Sequence, residues 1–388
     1  MTAYPAWTPA PRPGIVPLHP LTFGTILGRS FSALRHNPRV LLGFAVVLQT
    51  LAYLAVTVGL AGIAFASFSR LDTVAVGSDD WDAVLAGSIT LTALAGLGLT
   101  LAAGAIGVLV QAVVISDVLS AVLAEKMTLA GLWKRVRPVA WRLIGYAVLL
   151  AGAVGAGIAV AAGLAVTLAL INPALAIVIT LVVILGAVPL TLWLTVKLLL
   201  VPAAIIVEHA SIGRAITRSW RLSRGRFWVI LGVVILVSLV FGVVAQIVSV
   251  PFSLLAGGLS AVLAPTGNAT VGDILSVVVV LGLSQVVILL IQSVAVIVQS
   301  TATGLIYIDC RMRHEGLDLD LLDYVDRRDA GNSDLGDPYR AHIGRPAPVR
   351  HQTPWTPPTT PGTAPPPPPA ATPPSNPENG TAPWATPR

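Results

Sequence analysis

The chain has 388 residues, 55% of them hydrophobic and only 11% charged, with a mean hydropathy of +0.82. A soluble protein carries about 25% charge, so this composition excludes one soluble core and points to the bilayer as solvent. The net charge of +6 suits an anionic surface, and a single cysteine, Cys310, excludes an intramolecular disulfide framework and a cysteine-rich metal site.

Residues 1–39 hold prolines and charges, with no short apolar core ahead of a small-residue cleavage site. No cleavable signal is therefore expected, and 1–20 read as a flexible, proline-rich start. Six stretches then reach the roughly 20 apolar residues that a membrane-crossing helix needs: 40–68, 88–115, 143–170, 174–200, 227–250 and 274–300. A lone run of this kind also fits a buried soluble helix; six, almost free of internal charge, predict an all-α, polytopic membrane bundle. The Asn172-Pro173 turn is so short that the third and fourth spans should form a tight hairpin.

Lysine and arginine in short loops set the expected orientation. They fall at Arg12, Arg29, Arg35 and Arg39 before the first span, and at Lys126, Lys134, Arg135, Arg137 and Arg142 between spans two and three. Arg214, Arg218, Arg221, Arg224 and Arg226 lie between spans four and five, and Arg311 and Arg313 follow span six. The other side has Arg70 alone, among Asp72, Asp79, Asp80 and Asp82. A cell-membrane protein with both termini cytoplasmic is expected.

The basic segments resemble one another. With Thr22 set on Ser211, Gly24 meets Gly213, Arg29 meets Arg218, Ser30 meets Ser219, Phe31 meets Trp220 and Gly43 meets Gly232. Thr128 and Arg135 fit the same frame, and a four-residue deletion, about one helical turn, brings Gly145 onto Gly43. Two readings are open: a threefold repeat of one basic helix plus two spans, or similar composition imposed by similar position. Thr22, Thr128 and Ser211 are N-cap residue types. In the third copy Ile212, Ala215, Ile216, Ser219, Trp220 and Ser223 share one face, and Arg214, Arg218, Arg221 and Arg224 largely another. This is the pattern of a helix lying in the interface plane.

Trp220, Phe227 and Trp228 stand where belt aromatics belong, and the arginines are candidates for lipid phosphates. The lipid-surface candidates are thus Arg29, Arg35, Lys134, Arg135, Arg137, Arg214, Arg218, Arg221, Arg224, Arg226, Trp220 and Trp228. Positive-inside topology alone explains the same charges. Nucleic-acid binding is set aside because spans hem the segment within ten residues.

Inside the spans, Gln285, Gln292 and Gln299 recur every seven residues and so share a face of span six. They read as interhelical hydrogen-bonding groups or as the lining of a polar path. Gly152, Ala156, Ala159 and Gly163 make a small-residue stripe that admits a close helix. Lys197 should snorkel toward the basic side, and Glu208 should pair with Lys197 or with an arginine of the third basic segment. Residues 309–330 should hold a cytoplasmic amphipathic helix with Leu317, Leu321, Leu322 and Val325 as its apolar side. From 331 onward a disordered tail is expected, in part polyproline II, with a proline-reading domain as one conceivable partner. No cofactor, metal site or catalytic constellation is expected.

The stretches "GIVPLHPLTFGTIL", "MTLAGLWKRVRP", "VPAAIIVEHASIGRAITRSWRLSRGRFW" and "YIDCRMRHEGLDLDLL" resemble the membrane-domain family associated with bacterial glycerophosphoryl diester phosphodiesterases. The likeness is to its stand-alone, proline-rich actinobacterial type and covers about residues 14–325. It implies a six-span bundle of largely unknown function. The fused phosphodiesterase barrel has no counterpart here, so no such activity or metal site is carried over. The expected role is a non-enzymatic scaffold or accessory protein that gathers anionic lipid or partners. The alternative is a transporter of a small molecule or lipid along span six.

Overall fold

Every apolar run folds as helix, and several helices run well past the apolar stretch that marks them. The computed structural model describes residues 20–32, 38–125, 127–263, 271–332 and 336–345, with no strand among them. In chain order the helices are α1 (Phe23–Ser32), α2 (Pro38–Phe68), α3 (Asp79–Val122), α4 (Leu129–Val136), α5 (Ala140–Ile171), α6 (Pro173–Leu198), α7 (Val201–Glu208), α8 (Ile212–Leu222), α9 (Phe227–Leu263), α10 (Val271–Glu315) and α11 (Leu317–Asp329). Six of them are long and apolar enough to cross a membrane. The order short, long, long recurs three times, as α1–α2–α3, α4–α5–α6 and α8–α9–α10, with α7 inserted before the third set.

Local chemistry explains the ends. Ser78 Oγ accepts the Trp81 N–H, and Asp79, Asp80 and Asp82 place negative charge in the first turn of α3, where the helix dipole favours it. Asn172 Oδ1 accepts from Ala174 and Leu175 while Pro173 fills the first position of α6, which makes the expected hairpin tight. Thr22 and Thr128 cap α1 and α4 through Thr25 and Gly131. Ser211 departs from the expectation: it has the extended cap backbone, but its side chain makes no cap bond. Pro202 opens α7 and left-handed His209 closes it. Gly316, at φ +70, breaks the chain between α10 and α11. The expected cytoplasmic helix at 309–330 is thus divided, because α10 runs on to Glu315.

At about 1.5 Å rise per residue, α3 (44 residues) and α10 (45 residues) are each about 65 Å long, twice the roughly 30 Å hydrocarbon core. Both must leave the hydrocarbon, and burial shows at which end. Residues 110–122 of α3 and 297–312 of α10 are buried almost throughout, together with all of α7 before Glu208. The hydropathic windows of α5 and α6 are 0% and 6% buried, so this hairpin presents apolar side chains outward, as lipid requires and water does not. Its small-residue stripe faces out as well: Gly152, Ala156, Ala159 and Gly163 are exposed, and a Cβ added at Gly152 or Gly163 meets no described atom within 4 Å.

Long helices pair as α2 with α3, α5 with α6 and α9 with α10, and α10 also lies on α2 and α3. The short helices lean across units. Phe23 of α1 presses its ring on Gly232 of α9, where an added Cβ would come within 3.2 Å. Ile212 of α8 meets Gly145 of α5 in the same way, at 3.4 Å. Phe23 and Ile212 are equivalent in the sequence alignment, and so are the two glycines. The third equivalent, Gly43, has nothing within 4 Å, and α4 packs on α3 instead.

The segment from Asp337 to Arg345, assigned from sequence to the tail, packs on the densely buried end, with Tyr339 fully buried. Partners distant in the chain hold it there: Arg135 on Asp337, Arg311 on the Tyr339 carbonyl and Glu315 on the Gly344 N–H. The expectations for 1–19 and for 346–388 lie outside the described residues.

Candidate functional site

On α8 the 3.6-residue period separates two faces. Ala215, Ser219 and Ser223 are buried, Ile212, Ile216 and Trp220 are half-buried, and Arg214, Arg221 and Arg224 are exposed. Arg218 sits at the seam and turns inward. Its Nε donates to Glu208 Oε1 and Oε2 at 2.8 and 3.1 Å, and its Nη1 pairs with Glu315 Oε1. Glu315 Oε2 accepts from Arg311 Nε at 2.8 Å, Arg311 Nη1 donates to the Tyr339 carbonyl at 2.6 Å, and the Tyr307 hydroxyl donates to Glu208 Oε1 at 2.8 Å. Two guanidinium and two carboxylate groups therefore alternate, and the buried set is neutral. Buried charge is tolerated only when paired and hydrogen-bonded in this way. Burial works against the Arg218 charge, but the hydrogen bonds to Glu315 and Glu208 outweigh it and hold its pKa above the ordinary guanidinium value.

A second cluster ties three parts of the chain together. Asp309 accepts the Leu21 N–H at 2.8 Å and Arg313 Nε at 3.0 Å on one oxygen, and Arg226 Nη2 at 2.5 Å on the other. Arg226 and Arg313 also donate to the Leu21 carbonyl at 3.1 and 3.0 Å. The start of α1, the α8–α9 turn and α10 are fastened by one carboxylate. Nearby, Arg135 Nη2 pairs with Asp337 at 2.6 Å, and the Tyr339 hydroxyl donates to the Leu119 carbonyl at 2.8 Å. Burial pushes the Tyr339 hydroxyl well above its usual range.

The lipid-surface candidates thus divide. Arg135, Arg218 and Arg226, expected at lipid phosphates, are held by carboxylates of the protein. Lys134, Arg137, Arg214, Arg221 and Arg224 are exposed, and no ion pair joins them to a described residue. Arg29 is exposed on α1; Arg35 lies outside the described residues. Trp228 is 79% exposed, as is Trp141 at 82%, each one residue into a long helix. Trp220 instead tucks edge-on against Trp193, with ring centroids 5.0 Å apart. Lys197 points to the basic end: its Nζ reaches Ser223 Oγ of the α8–α9 turn at 3.3 Å and lies 5.5 Å over the Trp220 ring. Glu208 takes the expected arginine partner, Arg218.

The three glutamines of α10 are not equivalent. Gln292 is exposed, Gln285 and Gln299 are half-buried, and Gln299 Oε1 is enclosed without a partner among the described residues. The cross-helix bond comes from the next position: Ser293 Oγ donates to Gln49 Oε1 of α2 at 2.7 Å. Asp309, Glu315, Arg311, Tyr307, Tyr339 and Asp337 escaped the sequence reading as site residues. The local signals were two spacings of four on α10, Asp309–Arg313 and Arg311–Glu315, each about one helical turn apart.

A family described as a domain of unknown function (DUF7847) matches residues 21–308. No curated protein and no solved structure matches the chain.

Proposed function

We propose, for a chain that belongs to the DUF7847 family, that it is a non-catalytic membrane scaffold or accessory protein whose basic end lies at the cytoplasmic face and engages anionic lipid or a partner protein there. The observation that carries this reading is the sorting of the cations. Lys134, Arg137, Arg214, Arg221 and Arg224 stay exposed beside exposed Trp141 and Trp228, while the remaining arginines of α8 and its turn are consumed by internal carboxylates. Exposed tryptophans next to free cations suit the membrane–water boundary, and each cation near an anionic leaflet is worth about 1 kcal/mol. The acidic turn around Asp72, Asp79, Asp80 and Asp82 at the other end of α2 and α3 fits the outer side. A non-catalytic role is supported by the commitment of Glu208, Glu315 and Asp309 to guanidinium partners. The likeness of the basic segments to the membrane domain that accompanies bacterial glycerophosphoryl diester phosphodiesterases is part of the same proposal, and the proline-rich tail would add a protein contact.

The test is lipid selectivity in nanodiscs of mixed phosphatidylglycerol and phosphatidylcholine, read by native mass spectrometry. Wild type retains phosphatidylglycerol preferentially, and the Lys134→Glu/Arg137→Glu/Arg224→Glu variant loses the preference by at least about tenfold. Equal retention by the two proteins removes the lipid reading. A polar path along α10 is the second reading, and the unpartnered Gln299 Oε1 is what favours it.

A further inference from the structure

A pocket of about 480 Å³ opens beside α8. Arg214, Arg218 and Arg221 form one wall, at helical spacings of four and three that put them on one stripe. Glu208 and His209, at the end of α7, and Ile343 and Gly344 complete the lining with Ala210 and Thr217. Glu208 is the one carboxylate in this lining, and it is already engaged by Arg218 and Tyr307. Arg218 and Arg311 balance Glu208 and Glu315, so Arg214 and Arg221 add positive charge with no carboxylate to offset it. Two more guanidinium groups stand behind His209: Arg142 Nη1 donates to its carbonyl at 2.6 Å, and Arg340 lies against its ring Nε2. The His209 imidazole responds to this field. Burial and then Arg340, Arg142 and Arg135 hold its pKa below the usual value, against Asp337. Arg218 Nη2 is enclosed without an acceptor among the described residues.

We propose that this pocket binds a phosphate-bearing anion, gripped by Arg214 and Arg221, with His209 in the same lining. The proposal deepens the basic-end reading above by giving it a discrete ligand site. Guanidinium forks match phosphate oxygens in charge and geometry. The volume falls within the roughly 300–1,000 Å³ of small-molecule sites, larger than a bare phosphate and suited to a phosphoester with a small polar group. The anion comes either from a lipid headgroup or from a soluble phosphoester, and the shared chemistry is the phosphate.

The experiment uses the full chain in phosphatidylcholine nanodiscs. One arm titrates glycerol 3-phosphate by calorimetry; the other doping series adds dioleoyl phosphatidic acid and follows the melting temperature. Saturable binding in either arm, weakened at least about tenfold by Arg214→Gln/Arg221→Gln and less than about twofold by Arg327→Gln, an exposed arginine of α11 outside the lining, supports the pocket. Both arginines of the double variant are exposed and without a described partner, so the fold is retained. Saturation by glycerol 3-phosphate identifies a soluble ligand; saturation by phosphatidic acid alone identifies a headgroup. No saturation in either arm overturns the proposal, as does undiminished binding by the double variant. An equal loss in Arg327→Gln shows diffuse surface charge and also overturns it, while leaving the phosphatidylglycerol selectivity above as a separate result.

Discussion

Arg218 and Arg221 stand less than one turn apart on α8 and meet different fates. Arg221 is exposed, whereas the Arg218 side chain is 11% exposed and lies between Glu208 and Glu315. Removing one member of a buried pair leaves its partner charged and unsatisfied, at about 3–5 kcal/mol. Arg218→Gln should therefore lower stability by that order in denaturant titrations, and Arg221→Gln by less than about 0.5 kcal/mol. Equal small effects would show that the buried set is not a unit. The Glu208 partnership was open to sequence reasoning because ten residues separate it from Arg218; Glu315 was not, being 97 positions away, and only packing brings it close. His209 predicts a pH effect. Its imidazole is held below the ordinary value of about 6.5, so the unfolded chain takes up the proton first as pH falls. Its contribution is present above about pH 6.5 and is lost as the pH drops through the lower folded value. His209→Asn, chosen because asparagine tolerates the left-handed backbone at φ +52, should flatten the decline of melting temperature between pH 7 and 5. An unchanged slope would assign that decline to other groups.

At the scale of elements, the periodicity of apolar and basic residues was a sound guide to existence and a poor one to length. All six spans and the three short basic helices appear, but α3 and α10 overrun their apolar cores by a dozen residues or more. Hydropathy marks where lipid ends, not where backbone hydrogen bonding ends; beyond it, burial against α4, α7 and α11 sustains the helix. The sequence alignment gains a structural counterpart in the equivalent contacts Phe23–Gly232 and Ile212–Gly145. Gly232→Val should push Phe23 aside and loosen α1, seen as faster hydrogen exchange across residues 23–32. Gly43→Ala, which meets no atom within 4 Å, should leave exchange there unchanged and raise stability by up to about 1 kcal/mol. Protection of α1 that survives Gly232→Val would show that the contact does not hold it.

For the whole molecule, six apolar helices, three acidic-loop aspartates at the start of α3 and a basic opposite end make a topological prediction. Val76 is 86% exposed beside that acidic turn, and Arg224 is exposed at the basic end. In intact cells an impermeant maleimide should label Val76→Cys, and should reach Arg224→Cys only after permeabilisation; buried Cys310 stays silent. The reverse pattern would invert the protein. In the same experiment Gln299→Cys should remain unlabelled if α10 meets a dry interface, and labelling from water would favour the polar path. The local sequence alone determined that six helices are long and apolar enough to cross a membrane and which loops are basic, because those properties depend on sums over neighbouring residues. Tertiary structure alone decided which arginines remain free. Whether a guanidinium faces outward or meets a carboxylate from Asp309, Glu315 or Asp337 depends on segments distant in the chain, and a local pattern carries no information about a partner that arrives only with the fold.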